Sequence, residues 1–483
     1  MSLKSISVER QEQIGRTVVL AILLALPGWL CLRSPSVVDP DIWWHLRSGE
    51  WILQHHSFPQ TDPFSIYGAN KPWEAYSWLY EILVLKLFRQ WSLMGLVAYT
   101  TAMVIAVTAA LQSMLQRLQA DFTKATLLTV AAVIPLSRLF TPRPWLFTIL
   151  FFVLEANILL YARETGRKRV LLWLPVIFAL WANIHVQFID GLVLLGVAVA
   201  EPLVERWWPY RQTRLRFGTI GTVFATSIAA TLLNPYGIHI YRIAYDLASQ
   251  SGVTGLISEL QSIQFRSFGD YLIVFLPLAA VGAMAWRRRF PFFESALLAF
   301  GIITSFRSVR DVWIVIVAAT AILASFFPHQ GQQGRRLPAF ALVPVGLITL
   351  LLLWLGSLVY RVNEAELRNQ LAQDMPVKAV EVVKSKGYSG PLFNDFNWGG
   401  FLIWNLRQPV CIDGRTAFYG DEQIERSAAT WNAQPDWASD SDLGVARLVI
   451  APVKTPLTQL LRQDPDFSLT YEDKLAAVFV RRR

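Results

Sequence analysis

The sequence predicts a polytopic α-helical membrane protein that ends in a small α/β domain outside the membrane. Three observations predict this class. Of the 483 residues, 54% are hydrophobic and 16% are charged, whereas a soluble domain has about 25% charged residues. The apolar residues form runs long enough to cross a bilayer. The composition then turns polar after residue 360. Together these observations exclude a disordered chain, an ordinary soluble enzyme and a small disulfide-stapled domain.

The charge pattern orients the chain. The net charge is +9, yet residues 361–483 contain 15 Lys and Arg against 16 Asp and Glu. The basic excess therefore lies in the first 360 residues, in short clusters that the positive-inside rule places in the cytoplasm. These clusters are Lys4 to Arg16, 163–169, 206–216, 287–289 and the pair Arg335 and Arg336. Charge dispersed in this way sets topology and predicts no nucleic-acid partner.

Windows of about 20 apolar residues predict about eleven membrane spans. They are 17–32, 93–115, 125–140, 145–162, 170–185, 188–204, 217–233, 271–286, 292–306, 312–327 and 340–360. The basic clusters place the N-terminus in the cytoplasm and the C-terminal domain outside. Because a further span would break this alternation, we predict that 76–88 is a helix that lies in the interface or re-enters from outside. The predicted domains are thus a membrane module, 1–360, with a large first outer loop, 34–91, and an extracytoplasmic domain, 361–483.

The C-terminal segment has the pattern of a small α/β domain. Residues 364–386 read as an amphipathic helix that Pro376 interrupts and Gly387 ends. Four short apolar runs follow, at 391–393, 410–412, 448–451 and 476–480. The only two cysteines, Cys31 and Cys411, lie in unrelated segments, so no disulfide framework is expected.

The first outer loop carries the clearest candidate for chemistry. Asp39 and Asp41 lie two residues apart at the exit of the first span, next to Trp43 and Trp44. Desolvation and like charge both raise the pKa of a carboxylate, which suits a general base for a hydroxyl acceptor. The structural alternative is that Asp39 caps a helix that starts near Pro40 and that the tryptophans mark the membrane interface.

Further polar residues fall at the outer ends of other spans. Arginine forms bidentate contacts with phosphate, so two or three such residues could hold a lipid phosphate or pyrophosphate. Alternatively, they contact lipid headgroups, and Arg310 only pairs with Asp311. The candidates are Arg143, His185 with Asn183 and Gln187, Arg307 and Arg310.

Buried polar groups and metals complete the candidate list. Glu155 and Asn157 lie within a span, where we expect interhelical hydrogen bonds. Histidines and cysteines lack zinc-ligand spacing. Asp39 and Asp41 could hold one divalent cation together with phosphate oxygens, so no cofactor is certain and the metal is unknown. The sequence has no P-loop, no dinucleotide-binding glycine motif before a helix and no G-x-S-x-G motif.

Several motifs together suggest a family. They are DPDIWWH at 39–45, GEW at 49–51, PQTDPFS at 59–65, KPWEAYSWL at 71–79, Arg143-Pro144, NDFNWGG at 394–400 and IDGR at 412–415. With these motifs the chain resembles a bacterial branch of the GT-C superfamily of integral-membrane glycosyltransferases. The layout is similar over the whole chain, and the first outer loop is the specific part.

The resemblance implies a reaction and a location. It implies inverting transfer of a sugar from a polyprenyl-phosphate or polyprenyl-pyrophosphate donor to an unknown acceptor, on the outer face of a bacterial inner membrane. The base would be Asp41 or Asp39. We favour Asp41, which is close to the Trp pair and which His45, a predicted substrate-binding residue, follows one helical turn later. Many relatives carry adjacent acids, whereas Pro40 separates them here.

The tail motifs have two interpretations. Trp398 and Asp413, with Asp395 and Arg415, could bind the acceptor, because indole rings stack on sugars and carboxylates bond hydroxyls. The structural alternative is that the glycines at 399, 400 and 414 make tight turns and that Asp413 pairs with Arg415.

Two other functions compete with the enzyme. A non-catalytic scaffold or assembly subunit would have outer-loop acids neutralised by neighbouring arginines. A transporter would have charges near mid-span and interrupted helices, whereas the ionisable residues here gather at one face.

Overall fold

A computed structural model describes residues 3–33, 37, 39–208, 210, 213–249, 257–327 and 341–482. The chain forms two compact units. The first, which we call the span unit, comprises Met1–Pro35, Val97–Asn234 and Glu259–Val362. The second, the loop–tail unit, comprises Ser36–Leu96, Pro235–Ser258 and Asn363–Arg483. The first outer loop therefore groups with the C-terminal segment, and each unit is described by itself below.

The fold class is confirmed, since the described residues form mainly long apolar helices and a small sheet. The first thirteen helices are α1 Leu3–Arg33, α2 Ile42–His55, α3 Trp78–Leu118, α4 Phe122–Leu136, α5 Trp145–Thr165, α6 Trp173–Ile184, α7 Phe188–Val204, α8 Phe217–Thr231, α9 His239–Ser249, α10 Phe268–Trp286, α11 Phe292–Arg307, α12 Val312–Phe326 and α13 Leu342–Val359. The predicted cytoplasmic pair Arg335 and Arg336, and the first residue of the span 340–360, lie outside the described residues.

Within the described ranges, seven helices are long and apolar enough to cross a membrane. They are Arg10–Arg33, Trp78–Leu118, Phe122–Leu139, Trp145–Thr165, Phe268–Trp286, Val309–Phe326 and Leu342–Val359. The other four predicted spans correspond to α6, α7, α8 and α11, which have 12 to 17 residues. A 12-residue helix is only about 18 Å long, so eleven full spans stay a prediction.

The segment predicted as an interfacial or re-entrant helix, 76–88, is helical. It forms the first part of α3, which begins at Trp78 and is interrupted at Ser92, where φ is 51° and ψ is −138°. A left-handed residue of this kind breaks the helical hydrogen-bond ladder. The predicted span at 93–115 is the second part of the same helix, up to Leu118.

The core of the span unit is built around α12. Its residues from Val312 to Ala324 are all buried, and it packs against α4, α10 and α11. A helix that is apolar on every side is surrounded by other helices. Gly301 of α11 allows the closest approach, because a Cβ at this position would lie 2.7 Å from the Cα of Val315.

Local sequence signals fix where the helices begin and end. Asp121 caps α4 by accepting hydrogen bonds from the backbone N–H groups of Thr123 and Lys124. Ser267 opens α10 with a capping box, in which Asp270 is the reciprocal partner. Gly166 ends α5 in the left-handed conformation, with φ of 72°, which glycine adopts without strain.

The loop–tail unit adds six short helices and four strands in its described C-terminal part. They are α14 Glu364–Asp374, α15 Val377–Lys386, α16 Gly399–Leu406, α17 Thr416–Trp431, α18 Ser441–Val445, α19 Pro456–Leu461, β1 Leu392–Asn394, β2 Leu448–Pro452, β3 Phe467–Glu472 and β4 Ala476–Arg481. The sheet order is β1-β2-β4-β3, with β1 and β2 parallel and the other pairs antiparallel.

This arrangement matches most of the predicted C-terminal pattern. The predicted helix at 364–386 is two helices divided at Pro376, and Gly387 ends the second in the left-handed conformation. Three of the four apolar runs form β1, β2 and β4. The fourth run, 410–412, pairs only through isolated bridges of Val410 to Ser65 and Leu392. Strand β3 was not predicted, although its sequence FSLTYE alternates between apolar and polar residues.

We expect Gly301→Ala to destabilise the span unit. The added Cβ would meet the backbone of Val315, which cannot move aside as a flexible side chain can. Overpacking of this kind lowers the free energy of unfolding by about 1–3 kcal/mol. The matched control is Gly282→Ala in α10, where no described atom lies within 4 Å of the added Cβ. Both changes share the gain in helix propensity. Thermal unfolding in detergent should therefore give a lower Tm for Gly301→Ala than for Gly282→Ala, and equal values would contradict the close packing of α11 on α12.

Candidate functional site

The start of α2 separates the roles of the two outer-loop acids. Asp39 is 8% exposed, and its Oδ1 accepts a hydrogen bond of 3.0 Å from the backbone N–H of Asp41. Asp41 occupies the N-cap position of α2, but its side chain makes no capping hydrogen bond to the described helix. Asp39 thus organises the backbone just before α2, but it is not the N-cap that the structural alternative expected, since α2 begins at Ile42 and its N-cap is Asp41. The Asp41 side chain is half-buried.

Asp41 lies directly against the tail motif at Gly414. A Cβ added to Gly414 would overlap Oδ1 of Asp41, and it would lie 3.0 Å from Asp41 Cγ and 3.6 Å from Nε1 of Trp44. Gly400 of the tail also lies close to this loop, since an added Cβ would be 2.7 Å from the carbonyl oxygen of Pro40. The first outer loop and the tail motif therefore meet at Asp41.

At Gly399, Gly400 and Gly414 close packing, rather than a left-handed backbone, requires glycine, and their role in tight turns stays a prediction. In the described chain neither Gly399, Gly400 nor Gly414 has a positive φ, so none needs the conformational freedom of glycine. A Cβ on Gly399 would overlap the carbonyl oxygen of Ile412. These positions need glycine because other backbone or side-chain atoms occupy the space of a side chain.

A buried ion-pair network holds the tail motif to the first outer loop. Arg415 Nη1 donates to Oδ1 of Asp62 at 2.6 Å, and its Nε donates to Oδ1 of Asp413 at 2.8 Å. Tyr419 donates its hydroxyl to Oδ2 of Asp413 at 2.7 Å. Burial alone would lower the pKa of Arg415, but Asp413, Tyr419 and Asp62 outweigh it and raise this pKa. The guanidinium is therefore permanently charged, and the predicted pairing of Asp413 with Arg415 is present.

Aromatic rings enclose the same guanidinium. The Arg415 Cζ atom lies 4.9 Å from the ring centre of Trp73 and 5.1 Å from that of Phe418. Cation–π contacts of this kind stabilise a desolvated charge. Burial and the nearby Asp413 raise the pKa of Tyr419, so its hydroxyl stays protonated and acts as a hydrogen-bond donor.

His45 is oriented by an acid that the sequence analysis missed. Its Nδ1 lies 3.2 Å from Oε1 of Glu81, and Ser48 donates to the other oxygen of that carboxylate. All three side chains are buried. Glu81 lies in the first turn of α3, and no motif or spacing connected it with His45. The Nδ1 atom of His45 therefore already has a partner within the protein. Substrate binding by His45 stays a prediction.

A second acid of α2 joins the tail through two arginines. Glu50 accepts hydrogen bonds from Arg47 at 2.6 Å and from both terminal nitrogens of Arg407. Burial alone would raise the pKa of Glu50, but Arg407 and Arg47 outweigh it and hold this pKa below its usual value of 4.5.

Trp398 and Asp413, the predicted acceptor-binding residues of the tail, are both buried within the loop–tail unit. Trp398 is 5% exposed, and its Nε1 donates to the backbone carbonyl of Asp374 at 2.9 Å. Asp413 is fully buried and is committed to Arg415 and Tyr419. These contacts match the structural alternative, and acceptor binding by either residue stays a prediction.

The predicted phosphate-binding residues all belong to the span unit. Arg143 Nη1 donates to Glu259 at 2.9 Å, and its guanidinium lies 4.7 Å from the ring of Trp145. Arg310 Nε has no hydrogen-bond partner among the described residues, and its distance to Asp311 is a long 4.0 Å. Arg307 is exposed at the end of α11.

His185 has a defined hydrogen-bonding arrangement. Trp181 Nε1 donates to Thr148 Oγ1 at 2.9 Å, and the same hydroxyl lies 2.8 Å from His185 Nδ1. Because Thr148 already accepts from Trp181, its own proton is available for His185. Thr148 therefore links the indole of Trp181 to the imidazole of His185.

The two buried polar residues of α5 differ. Asn157 accepts a hydrogen bond of 2.8 Å from Arg117 of α3, which confirms the predicted interhelical bond. For Glu155 that prediction was wrong, since neither carboxylate oxygen has a hydrogen-bond partner among the described residues.

The described residues contain no group of three or more His, Cys, Asp and Glu that could hold a metal ion. The predicted cation site has only two carboxylates, Asp39 and Asp41, and relies on phosphate oxygens for its other ligands. It stays a prediction.

The fold is similar to that of a solved oligosaccharyltransferase, although no sequence comparison gives a match. No family model matches the chain, and neither does any curated protein. The crystal structure of the Archaeoglobus fulgidus oligosaccharyltransferase in the apo form matches with a TM-score of 0.55 and 11% identity, over 91% of this chain and 70% of that one. ArnT from Cupriavidus metallidurans bound to undecaprenyl phosphate gives a TM-score of 0.49 and 14% identity, over 96% of this chain and 97% of that one. The likeness to the oligosaccharyltransferase concerns the fold alone, and it agrees with the GT-C-like fold that the sequence predicts.

We expect acid to weaken the loop–tail unit through Glu50. Its folded pKa lies below the 4.5 of an ordinary Glu, so the folded state holds this proton less tightly than the unfolded chain. The stability contributed by Glu50 is therefore fully present above about pH 4.5 and is lost as the pH falls through the folded pKa. Glu50→Gln should have a lower Tm than the wild type at pH 7, and the difference should shrink towards about pH 3.

The control for this measurement is Glu472→Gln. Glu472 pairs with Arg462 in the same unit, but its side chain is 33% exposed, against 10% for Glu50, and exposed pairs contribute little. A Tm difference for Glu50→Gln that stays constant with pH would contradict the assigned ion pairs.

Proposed function

We propose that this protein is a membrane glycosyltransferase that moves a sugar from a polyprenyl-phosphate or polyprenyl-pyrophosphate donor to an acceptor hydroxyl, with inversion and with Asp41 as general base. The GT-C fold supports the general class. The observation that carries the specific proposal is the position of Asp41. Its half-buried carboxylate stands at the start of α2, where the first outer loop meets Gly414 of the tail.

The other acids of the loop–tail unit are less suitable as bases. Asp39 accepts from the backbone and is almost fully buried. Asp62 and Asp413 share the charge of Arg415 and are also buried. A carboxylate that is stabilised by a buried guanidinium is a poor proton acceptor, because its charged form is already favoured. Asp39, Asp62 and Asp413 thus have structural tasks, and we assign the role of base to Asp41 for its position against Gly414.

In the proposed reaction the acceptor hydroxyl gives its proton to Asp41 as its oxygen attacks the anomeric carbon of the sugar. A carbon–oxygen bond forms on one face of the sugar while the bond to the lipid phosphate breaks on the other, which inverts the configuration. The leaving group departs as a lipid phosphate that carries an additional negative charge. Cationic hydrogen-bond donors that stabilise this charge are expected to supply much of the catalysis.

We propose that Arg310 is the principal ligand of the donor phosphate in the span unit. Its Nε is buried without a described hydrogen-bond partner, and its contact with Asp311 is long. A phosphate oxygen would satisfy this donor. Arg143 is already paired with Glu259 and stacked on Trp145, and we assign it, with Arg307 and His185, a secondary role.

The alternative is a non-catalytic scaffold with the same fold. It predicts outer-loop acids that are neutralised by arginines, which is the state of Asp62. The two functions differ in one respect that can be measured, since only the enzyme requires the Asp41 carboxylate.

We expect Asp41→Asn to lower sugar transfer by at least about 100-fold, because a positioned general base contributes about 10²–10⁴-fold. The measurement follows loss of polyprenyl-linked sugar by mass spectrometry in membranes that contain the native acceptors. Asp436→Asn is the matched control, since it makes the same change at an exposed position of the same unit. Retained turnover in a purified variant with both Asp39→Asn and Asp41→Asn would remove the acid from the mechanism and favour the scaffold.

A further inference from the structure

Gly414 occupies a position where any larger residue would displace the Asp41 carboxylate. Its φ lies outside the left-handed region, so the backbone itself would accept alanine. The next described atoms, Asp41 Cγ and Trp44 Nε1, lie 3.0 and 3.6 Å from the position of an added Cβ. The steric need for glycine thus comes almost entirely from one atom, Oδ1 of Asp41.

The two residues next to Gly414 in the sequence hold it in position. Asp413 and Arg415, its two neighbours, are joined by two side-chain hydrogen bonds of 2.8 and 2.7 Å. Asp413 Oδ1 also accepts from the backbone N–H of Arg415 at 3.0 Å, which closes the turn over Gly414. Asp62 of the first outer loop binds the outer side of the same guanidinium.

The loop that supplies Asp62 is equally well fixed. Asp62 accepts from the backbone N–H groups of Phe64 and Ser65, each at 3.0 Å. The turn at Gly414 is therefore anchored to the chain segment that follows α2, and Asp41 is the N-cap of α2.

We propose that the turn Asp413–Gly414–Arg415 is a positioning element for Asp41, in which Gly414 is the surface against which the carboxylate rests. This inference rests on the proposed function of Asp41 as the base. The Arg415 network holds the turn in place, and the missing side chain of Gly414 lets the carboxylate take the orientation from which it receives the acceptor proton. Neither Gly414 nor Arg415 contacts the reacting atoms in this scheme, so both act through Asp41.

The chemistry explains why such a device would be needed. A carboxylate at a helix start can rotate among several rotamers, and a misplacement of about 1 Å can lower a rate about 100-fold. A rigid backbone surface at Gly414 would restrict these rotamers by steric contact alone.

We expect Gly414→Ala to lower kcat about 100-fold and to leave the KM for the donor within about threefold of the wild-type value. The added methyl group displaces only the end of a flexible side chain, so the protein should fold with an unchanged Tm. The matched control is Gly444→Ala in α18 of the same unit, where no described atom lies within 4 Å of an added Cβ. This control should keep wild-type kcat, KM and Tm.

A double variant separates positioning from a general structural effect. If Gly414 acts through Asp41, Gly414→Ala should cause no further loss in the Asp41→Asn background, because coupled residues are not additive. An additional loss of the same size in that background would overturn the proposal. If Gly414→Ala fails to insert, Tyr419→Phe takes its place, since it removes one hydrogen bond to Asp413 and keeps the ring. It should lower kcat several-fold with an unchanged KM, and an unchanged kcat would likewise overturn the proposal.

The same experiments distinguish the two levels of the argument. If Asp41→Asn loses transfer while Gly414→Ala retains wild-type kcat, the positioning role is contradicted and the proposed function stands. If Asp41→Asn retains transfer, the proposed function itself fails, whatever Gly414→Ala does.

Discussion

A single guanidinium, that of Arg415, joins two carboxylates from opposite ends of the chain. Asp413 is two residues away in sequence, whereas Asp62 is 353 residues away. All three side chains are almost completely buried. Removing one partner from a buried ion pair costs about 3–5 kcal/mol, because it leaves an uncompensated charge in the interior. The association of the first outer loop with the tail therefore depends on this one residue more than on any surface contact.

The distribution of acids within the loop–tail unit follows from that constraint. Asp62 and Asp413 neutralise Arg415, Glu50 is bound by Arg407, and Glu81 holds His45. Asp39 has a backbone role at the start of α2. Each of these carboxylates has a structural task that explains its presence. The base is proposed to be Asp41, whose carboxylate lies against Gly414.

The sequence predicted those features that depend on local patterns. Apolar length located the helices of the span unit, Pro376 and Gly387 marked the division and end of the α14–α15 pair, and three apolar runs became strands. The span count was less predictable, since α6 is a 12-residue helix preceded by a short 3-10 turn, and residue-by-residue hydropathy does not distinguish the two. The tight packing of Gly301 on Val315 likewise depends on a partner helix that hydropathy cannot identify.

The candidate site was only partly predictable for a similar reason. Asp39, Asp41 and the tail motif were identified, but their meeting at Gly414 joins segments that are far apart in the sequence. The glycine next to Asp413 suggested only a tight turn. The close approach of the Asp41 side chain to Gly414 leaves no signal in the local sequence. Glu81 was missed since it lies among apolar residues in α3, and only the folded chain brings it to His45.

The most direct test of the account is to identify the lipid that the protein carries. After gentle detergent extraction, native mass spectrometry of the wild type should show a bound polyprenyl phosphate or its glycosylated form. Arg310→Gln should lose most of this lipid, because its Nε would no longer serve the phosphate, whereas Arg462→Gln, on the tail, should retain it. Consistent recovery of ordinary phospholipids alone, with no isoprenoid in the wild type, would contradict the claim that this fold acts on a lipid-linked sugar.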